Sequence, residues 1–317
     1  MAKNLFVNQI KPGDQIQDLF LVIDKNMSFS QKGSPYLSIR LRDKTGEIDG
    51  RIWDRALEYD PLFRKGDVVR IRSRAASFRN TIQLSITDVC RIEDSEIDPG
   101  DYSPSSRRDI ESMFADLKAF ISKIKDPAIR RLLTEFFADE EVARKFKLAP
   151  AAKGFHHVCI GGLLEHTLSV VRLLESAADH FQGVDRDLLI AGGILHDIGK
   201  INEMSSEKMI EYTDEGRLIG HVVMGLEMLD RKIAAIPGFP EQTALMLRHI
   251  LLSHHGELEF GSPKRPKTVE ALIIHFMDDL DAKVNAFQNH IELSREADSD
   301  WTPFHRLFER FIYKKRG

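Results

Sequence analysis

The sequence predicts a multidomain chain of two unlike halves, a small five-stranded β-barrel over residues 1–92 and an all-α domain over 109–317. Three observations lead there. Up to residue 92 apolar and polar residues alternate with a period of two, whereas beyond residue 108 the apolar period is helical. Between them, residues 93–108 are acidic, proline-containing and without periodicity, which is the composition of a linker. A short helical stretch also falls between the third and fourth strands, an arrangement typical of Greek-key barrels.

Leu19-Phe20-Leu21-Val22-Ile23 is the first apolar run. From Tyr36 to Arg42, Leu37, Ile39 and Leu41 share one face, while Tyr36, Ser38, Arg40 and Arg42 share the other. Asp43-Lys44-Thr45-Gly46 is a turn, and Ile48 and Ile52 then continue the alternation towards Trp53. A helical stretch near 55–59 and a turn at Lys65-Gly66-Asp67 precede two more strands, Val69-Arg70-Ile71-Arg72 and the run from Ile82 to Val89. In the second half, Ile110, Met113, Phe114, Leu117 and Ile121 form an i, i+3, i+4 stripe, as do Ile129, Leu132, Leu133 and Phe136. Further helices are expected over 163–180, 186–198, 219–233, 241–253, 268–290 and 303–313.

Composition narrows the function class. A net charge of −4 argues against binding nucleic acid through overall charge. The charge is uneven, however: residues 1–95 hold 16 Lys and Arg against 13 Asp and Glu, so the positive balance lies in the β-half. Cys90 and Cys159 lack metal-binding spacing and are expected to be buried apolar residues in a reducing compartment. The N-terminus has no signal-peptide pattern, and no apolar run reaches the ~18 residues of a membrane span. A cytoplasmic protein without a membrane partner is expected. The tail Lys314-Lys315-Arg316 reads as a solvated end.

The chemistry is carried by an ordered series of histidines and aspartates. His166 lies on an amphipathic helix in Gly162-Leu163-Leu164-Glu165-His166. His196 and Asp197 end an apolar helix in Leu195-His196-Asp197-Ile198-Gly199-Lys200. His221 follows Gly220, His254-His255-Gly256 closes another helix, and Asp278 lies within a later apolar one. Imidazole and carboxylate together suit divalent ions such as Mn²⁺, Fe²⁺, Co²⁺ or Ni²⁺. Asp197 has two oxygens and could bridge two ions, a pair of which can bind a phosphate, activate water and neutralise a leaving oxygen. Each imidazole then needs an acceptor for its other N–H, and Glu165 and Asp281 are nearby candidates. The role of His255 stays open, and Asp279 is expected outside the ligand set.

The order His, His-Asp, His, His, Asp resembles the HD superfamily of metal-dependent phosphohydrolases in its two-metal form. That resemblance implies one ion on His166, His196, Asp197 and Asp278, and a second on Asp197, His221 and His254. It also implies that Asp197 and Lys200 take part in catalysis, Lys200 by neutralising substrate phosphate. More narrowly, Gly161–His166, Glu211–His221, Leu252–Gly256, Gly261–Pro266 and Met277–Ala282 look like the corresponding stretches of the YhaM family of bacterial 3′→5′ exoribonucleases. This resemblance covers nearly the whole chain and implies an N-terminal OB-fold, a manganese-type metal requirement and single-stranded RNA as substrate. Single-stranded DNA is a second candidate substrate, the products would be nucleoside monophosphates, and a homo-oligomer is compatible with the sequence.

The β-half is consistent with that substrate. Arg70, Arg72 and Arg74 recur at period two and so share one face of a strand, as do Arg40 and Arg42. Tyr36, Trp53, Phe29 and Phe78 are candidate stacking platforms for a single strand. Arg217 and Arg265 are candidate phosphate contacts beside the metal ligands. Two other readings stand beside the exonuclease. One is an HD phosphodiesterase acting on a small nucleotide, such as a cyclic dinucleotide or a dinucleoside polyphosphate. The other is a non-catalytic nucleic-acid-binding factor, against which the intact ligand series argues.

Overall fold

The computed structural model of the chain describes residues 3–78, 81–102, 108–152, 159–205, 210–294 and 299–314. The chain divides near residue 105 into two compact units. In the first, β1 (Gln15–Phe29), β2 (Pro35–Asp43), β3 (Gly46–Ile52), β4 (Val68–Phe78) and β5 (Thr81–Arg91) close a barrel in the order β1-β2-β3-β5-β4, with a one-turn helix α1 (Ala56–Tyr59) after β3. All neighbours are antiparallel except β3 and β5, whose parallel pairing closes the barrel. Period-two alternation puts Leu37, Ile39, Leu41, Ile71, Leu84 and Ile86 inside with Phe20, and the alternate residues outside. The expected five strands and intervening helix are all present.

The segment read as a linker is partly built into this unit. Two 3₁₀ turns, Asp94–Glu96 and Pro99–Asp101, lead to Tyr102, whose buried ring packs with Leu19, Leu21, Val68 and Ile92. Lys44 secures the turn from outside through Asp101 at 2.9 Å. An aromatic ring outweighs the local polarity here, because burying it stabilises by about 2 kcal/mol. The prolines and serines at 103–107 lie outside the described residues. Cys90 corrects another expectation: it is exposed, because it stands on the outer face of β5 between buried Val89 and Ile92. Cys159 is half-buried, and burial pushes its thiol pKa up to about 12.

The second unit is helical: α2 (Ile110–Lys123), α3 (Pro127–Ala138), α4 (Glu140–Leu148), α5 (Gly162–His180), α6 (Arg186–Leu195) and α7 (Lys200–Glu203). A two-stranded ribbon of β6 (Met204–Ser205) and β7 (Glu211–Tyr212) follows, then α8 (Asp214–Leu218), α9 (His221–Ala234), α10 (Glu241–Ser253) and α11 (Val269–Leu293). Aspartates start four of these helices. The Asp109, Asp126, Asp139 and Asp185 side chains accept the free N–H groups of the first turns of α2, α3, α4 and α6. Each such cap contributes about 1 kcal/mol. Helix α6 is buried from Leu188 to Leu195, and α5, α10 and α11 pack around it. Among the described residues no helix is long and apolar enough to cross a membrane.

The C-terminal segment does not form the helix expected over 303–313. Trp301 pairs with Tyr313 and His305 with Arg310 as antiparallel bridges, and Glu309 takes a left-handed φ of 50° to turn the chain. Of the helically spaced Phe304, Leu307, Phe308 and Phe311, the folded-back loop turns Phe308 inward, against Phe287 at 4.5 Å, and leaves the other three exposed. Lys314, expected in solvent, is buried with its ammonium donating to the Ser294 carbonyl at 2.8 Å. Lys315 and Arg316 lie outside the described residues.

One close approach sets the register of the helices that carry the histidines. A Cβ on Gly199 would lie 2.0 Å from the His221 carbonyl oxygen, so the start of α7 and the start of α9 meet backbone to backbone. Because the obstacle is main chain and not a movable side chain, Gly199→Ala is expected to cost about 3 kcal/mol or more in urea denaturation. A near-neutral result would mean that α9 can shift without consequence.

Candidate functional site

The helix ends gather the sequence-selected residues. His166 lies in the second turn of α5 and is fully buried; His196 caps the C-terminus of α6, and Asp197 follows it. His221 opens α9, His254 caps α10 with His255 beside it, and Asp278 projects from α11.

Five imidazoles are oriented in one manner. The Nδ1 of His196 bonds the Gly193 carbonyl at 2.8 Å, that of His254 the Leu251 carbonyl at 2.8 Å, and that of His255 the Phe260 carbonyl at 3.0 Å. His166 Nδ1 meets Asp281 Oδ2 at 2.7 Å, and Asp281 is itself held by the Ser169 hydroxyl. His221 Nδ1 meets Glu203 Oε1 at 2.9 Å, and the same oxygen accepts the His221 backbone N–H at 3.0 Å. With Nδ1 protonated and engaged, each neutral ring offers its Nε2 lone pair to the centre. Asp281 was a candidate for this supporting part from the sequence; Glu203 was missed, since an acid 18 residues before His221 follows no spacing rule.

These Nε2 atoms form two sets around Asp197. Its Oδ2 lies 3.6 Å from His166 Nε2 and 3.4 Å from His196 Nε2, and Asp278 Oδ1 joins this side at 3.1 Å from His166. Its Oδ1 lies 3.5 Å from His221 Nε2 and 3.6 Å from His254 Nε2. His166, His196 and Asp197 make one compact group, and Asp197, His221, His254 and His255 make another. Nε2 faces Nε2 at 3.3 Å between His166 and His196, and at 3.2 Å between His221 and His255. Two lone pairs that close repel unless a cation or proton lies between them. Asp197 Oδ1 and His254 Nε2 are moreover buried without any hydrogen-bond partner. Such orphaned buried acceptors call for an ion. The donor set, imidazole nitrogen with carboxylate oxygen, fits borderline divalent cations.

The electrostatics say the same. Burial alone would lower the His196 pKa, but the Asp197 and Asp278 carboxylates override it and raise it to about 10. The carboxylates thus demand positive charge at this spot, which a proton or a metal ion can supply. Burial would also raise the Asp197 pKa, but Lys200 and His196 hold it well below the carboxylate range. On the other side, burial and the adjacent His254 push His255 down to about 4, leaving it neutral and able to donate.

Lys200 sits against the centre, its ammonium 2.6 Å from Asp197 Oδ2 and its side chain largely buried. Asp279 instead pairs with Lys283 at 2.7 Å on the outer face of α11. Arg217 lies exposed in α8, four residues before His221. Arg265 lies on the loop after His255, where it pairs with Glu257 at 2.7 Å.

In the barrel, Tyr36 and Trp53 stack at 4.5 Å between centroids and line a groove of about 430 Å³ with Phe78, Gln83, Ser85 and Arg51. Arg51 was missed from the sequence; its guanidinium lies 6.0 Å from the Tyr36 ring and bonds Ser38. Arg74 pairs with Ser85, which pairs with Arg51, so all three share an outer row. Arg72 is exposed and Arg70 half-buried further along β4. Arg40 and Arg42 pair with Asp49 and Glu47 across the β2–β3 ladder. Phe29 is exposed at the end of β1, outside the residues lining this groove.

Glu203 gives a test of this arrangement. Glu203→Gln keeps the size of the side chain but replaces the charged acceptor of His221 Nδ1. Calorimetric titration is expected to show divalent-metal affinity falling about 10–100-fold at one of two sites. Unchanged affinity would mean that His221 is not a ligand.

Comparison with known proteins completes the site. Residues 163–283 match the HD domain, which implies dependence on divalent metal, and residues 21–91 match an OB-fold nucleic acid binding domain. Among solved structures, the second OB-fold domain of replication protein A from Methanococcus maripaludis is similar at 19% identity and TM-score 0.24, covering 28% of this chain and 94% of that one. The 3'-5' exoribonuclease YhaM of Bacillus pumilus is 32% identical over 294 residues, covering 92% of each chain. That of Bacillus subtilis is 31% identical over 293 residues, again with 92% of each chain covered. With its N-terminal OB-fold and helical HD domain, and with this identity running along nearly its whole length, the chain belongs to the YhaM family.

Proposed function

We propose that the chain is a metal-dependent 3′→5′ exoribonuclease that hydrolyses single-stranded RNA to nucleoside monophosphates. The observation that carries this is Asp197, whose two oxygens each face a separate set of inward-turned imidazoles. His166, His196 and Asp278 with Asp197 Oδ2 would hold one ion, and His221, His254 and His255 with Asp197 Oδ1 the other. Mn²⁺ is the proposed occupant. When bound, two such ions supply a nucleophile from water at neutral pH and neutralise charge on the phosphate.

The remaining steps belong to the protein's own groups. Lys200 keeps Asp197 ionised and adds a fixed positive charge where the phosphate arrives. Asp281 and Glu203 hold His166 and His221 in the orientation ligation requires. Arg217, at the end of α8, and Arg265, on the loop after His255, contribute phosphate contacts. In the barrel, Tyr36, Trp53 and Phe78 offer faces to bases, and Arg51 and Arg74, with Arg40, Arg70 and Arg72 around them, neutralise the strand backbone. Stacking tolerates any base, as an enzyme that degrades a strand stepwise requires.

Labelled RNA incubated with Mn²⁺ is expected to shorten stepwise from its 3′ end and to stop shortening with chelator. Loss of internal fragments first, or indifference to chelator, would contradict the proposal. His196→Ala with Asp197→Ala is expected to abolish turnover while leaving RNA binding within about twofold. A second pair of variants separates the two units. Arg51→Ala with Trp53→Ala removes one charge and one stacking platform, the latter worth about 1–3 kcal/mol. It is expected to raise KM for long RNA at least tenfold and to leave hydrolysis of a small chromogenic phosphodiester unchanged. Equal loss on both substrates would make the groove structural, and preference for the small substrate in the unmodified protein would favour a small-nucleotide phosphodiesterase.

A further inference from the structure

Helix α11 is apolar on two opposite faces. Its inner face buries Ala271, Ile274, Asp281 and Ala286, and Ile273, beside the outer face, is buried as well. Its outer face carries Val269, Leu272, Phe276, Leu280 and Val284 at helical spacing, and each of these is between 44% and 56% exposed. A surface helix should be polar on that side; one that is apolar all round is normally covered. The stripe leaves on the order of 400 Å² of apolar side chain in water, close to the apolar share of the ~800 Å² that each partner buries in a standard stable interface.

The area and the spacing together fit a second copy of the chain. Leu272 and Val284, like Phe276 and Leu280, are placed symmetrically about position 278. A stripe that reads the same in both directions is self-complementary when two copies meet antiparallel. Phe276 of one copy then meets Leu280 of the other, and Leu272 meets Val284. Isologous contact about a twofold axis requires the apolar positions of one copy to fall on those of the other, and this spacing meets that requirement. The charged neighbours permit it, because Asp279 and Lys283 neutralise each other within the helix. We propose that the outer face of α11 is the contact surface between two copies of this chain, packed antiparallel about a twofold axis opposite Asp278.

The full-length protein is expected to sediment as a dimer or a multiple of one, and Leu280→Glu is expected to halve its mass. Leu272→Glu repeats the test one turn further from Asp278, with circular dichroism to confirm the fold of both variants. Geometry is tested independently by oxidation of variants in a Cys90→Ser background. Phe276→Cys with Leu280→Cys is expected to give a covalent dimer, whereas Leu272→Cys alone is expected to remain uncrosslinked. A monomer at every concentration would overturn the proposal, leaving the stripe to another part of the chain or a different protein. So would an oligomer whose mass neither glutamate variant changes, or cross-linking through Leu272→Cys alone. None of these readouts depends on the substrate or on bound metal.

Discussion

The structure turns on one buried carboxylate. Asp197 is almost completely removed from water, yet stays ionised because Lys200 lies 2.6 Å away and imidazoles surround it. Burying such a charge costs several kcal/mol unless it is compensated. The arrangement exceeds simple compensation by one ammonium, since Oδ1 has no hydrogen-bond partner and faces the Nε2 atoms of His221 and His254. A site built only for stability would have ended with paired groups. This one converges lone pairs, which is a favourable design only for a group that binds cations.

Everything around Asp197 serves to hold those lone pairs in place. The histidines come from four different helices, so their positions depend on helix packing and not on local chain geometry. Gly199 permits α7 and α9 to touch, which sets His221 beside Asp197. A Cβ on Gly192 would lie 2.6 Å from Ile274 and 2.9 Å from Ile250, so α6 sits close to α10 and α11 and brings His196 near His254 and Asp278. At each histidine, the Nδ1 bond removes the remaining freedom of the ring. Fold and site are thus one construction: the apolar core sets distances, and the hydrogen bonds set directions.

Much of this was legible in the sequence, for physical reasons that also mark its limits. Period-two and helical apolar patterns report burial directly, so the barrel strands and the longer helices between 110 and 290 could be read, whereas the short α4, α7 and α8 were not. His166, His196, Asp197, His221, His254 and Asp278 stood out because each sits at a helix end or on an apolar helix face, where such groups are costly without a purpose. Glu203 and Arg51 did not stand out. Their roles arise from contacts made across the fold, with His221 in one case and with Tyr36 in the other. The segment over 303–313 misled because helical spacing of phenylalanines also arises in a folded-back loop, where Phe308 packs on Phe287 and Phe304 on Phe311. Lys314 and Cys90 exchanged their expected places for a similar reason: burial at a chain end or a strand face is decided by tertiary neighbours. His255, left open by the sequence, stands with His221 and His254 once the helices are assembled.

The central claim is that Asp197 joins two metal sites. Anomalous diffraction from crystals grown with Mn²⁺ tests it most directly. Two peaks are expected, one between His166, His196 and Asp278 and one among His221, His254 and His255, with Asp197 touching both. A single peak away from Asp197, or two peaks that persist in Asp197→Ala, would contradict the account.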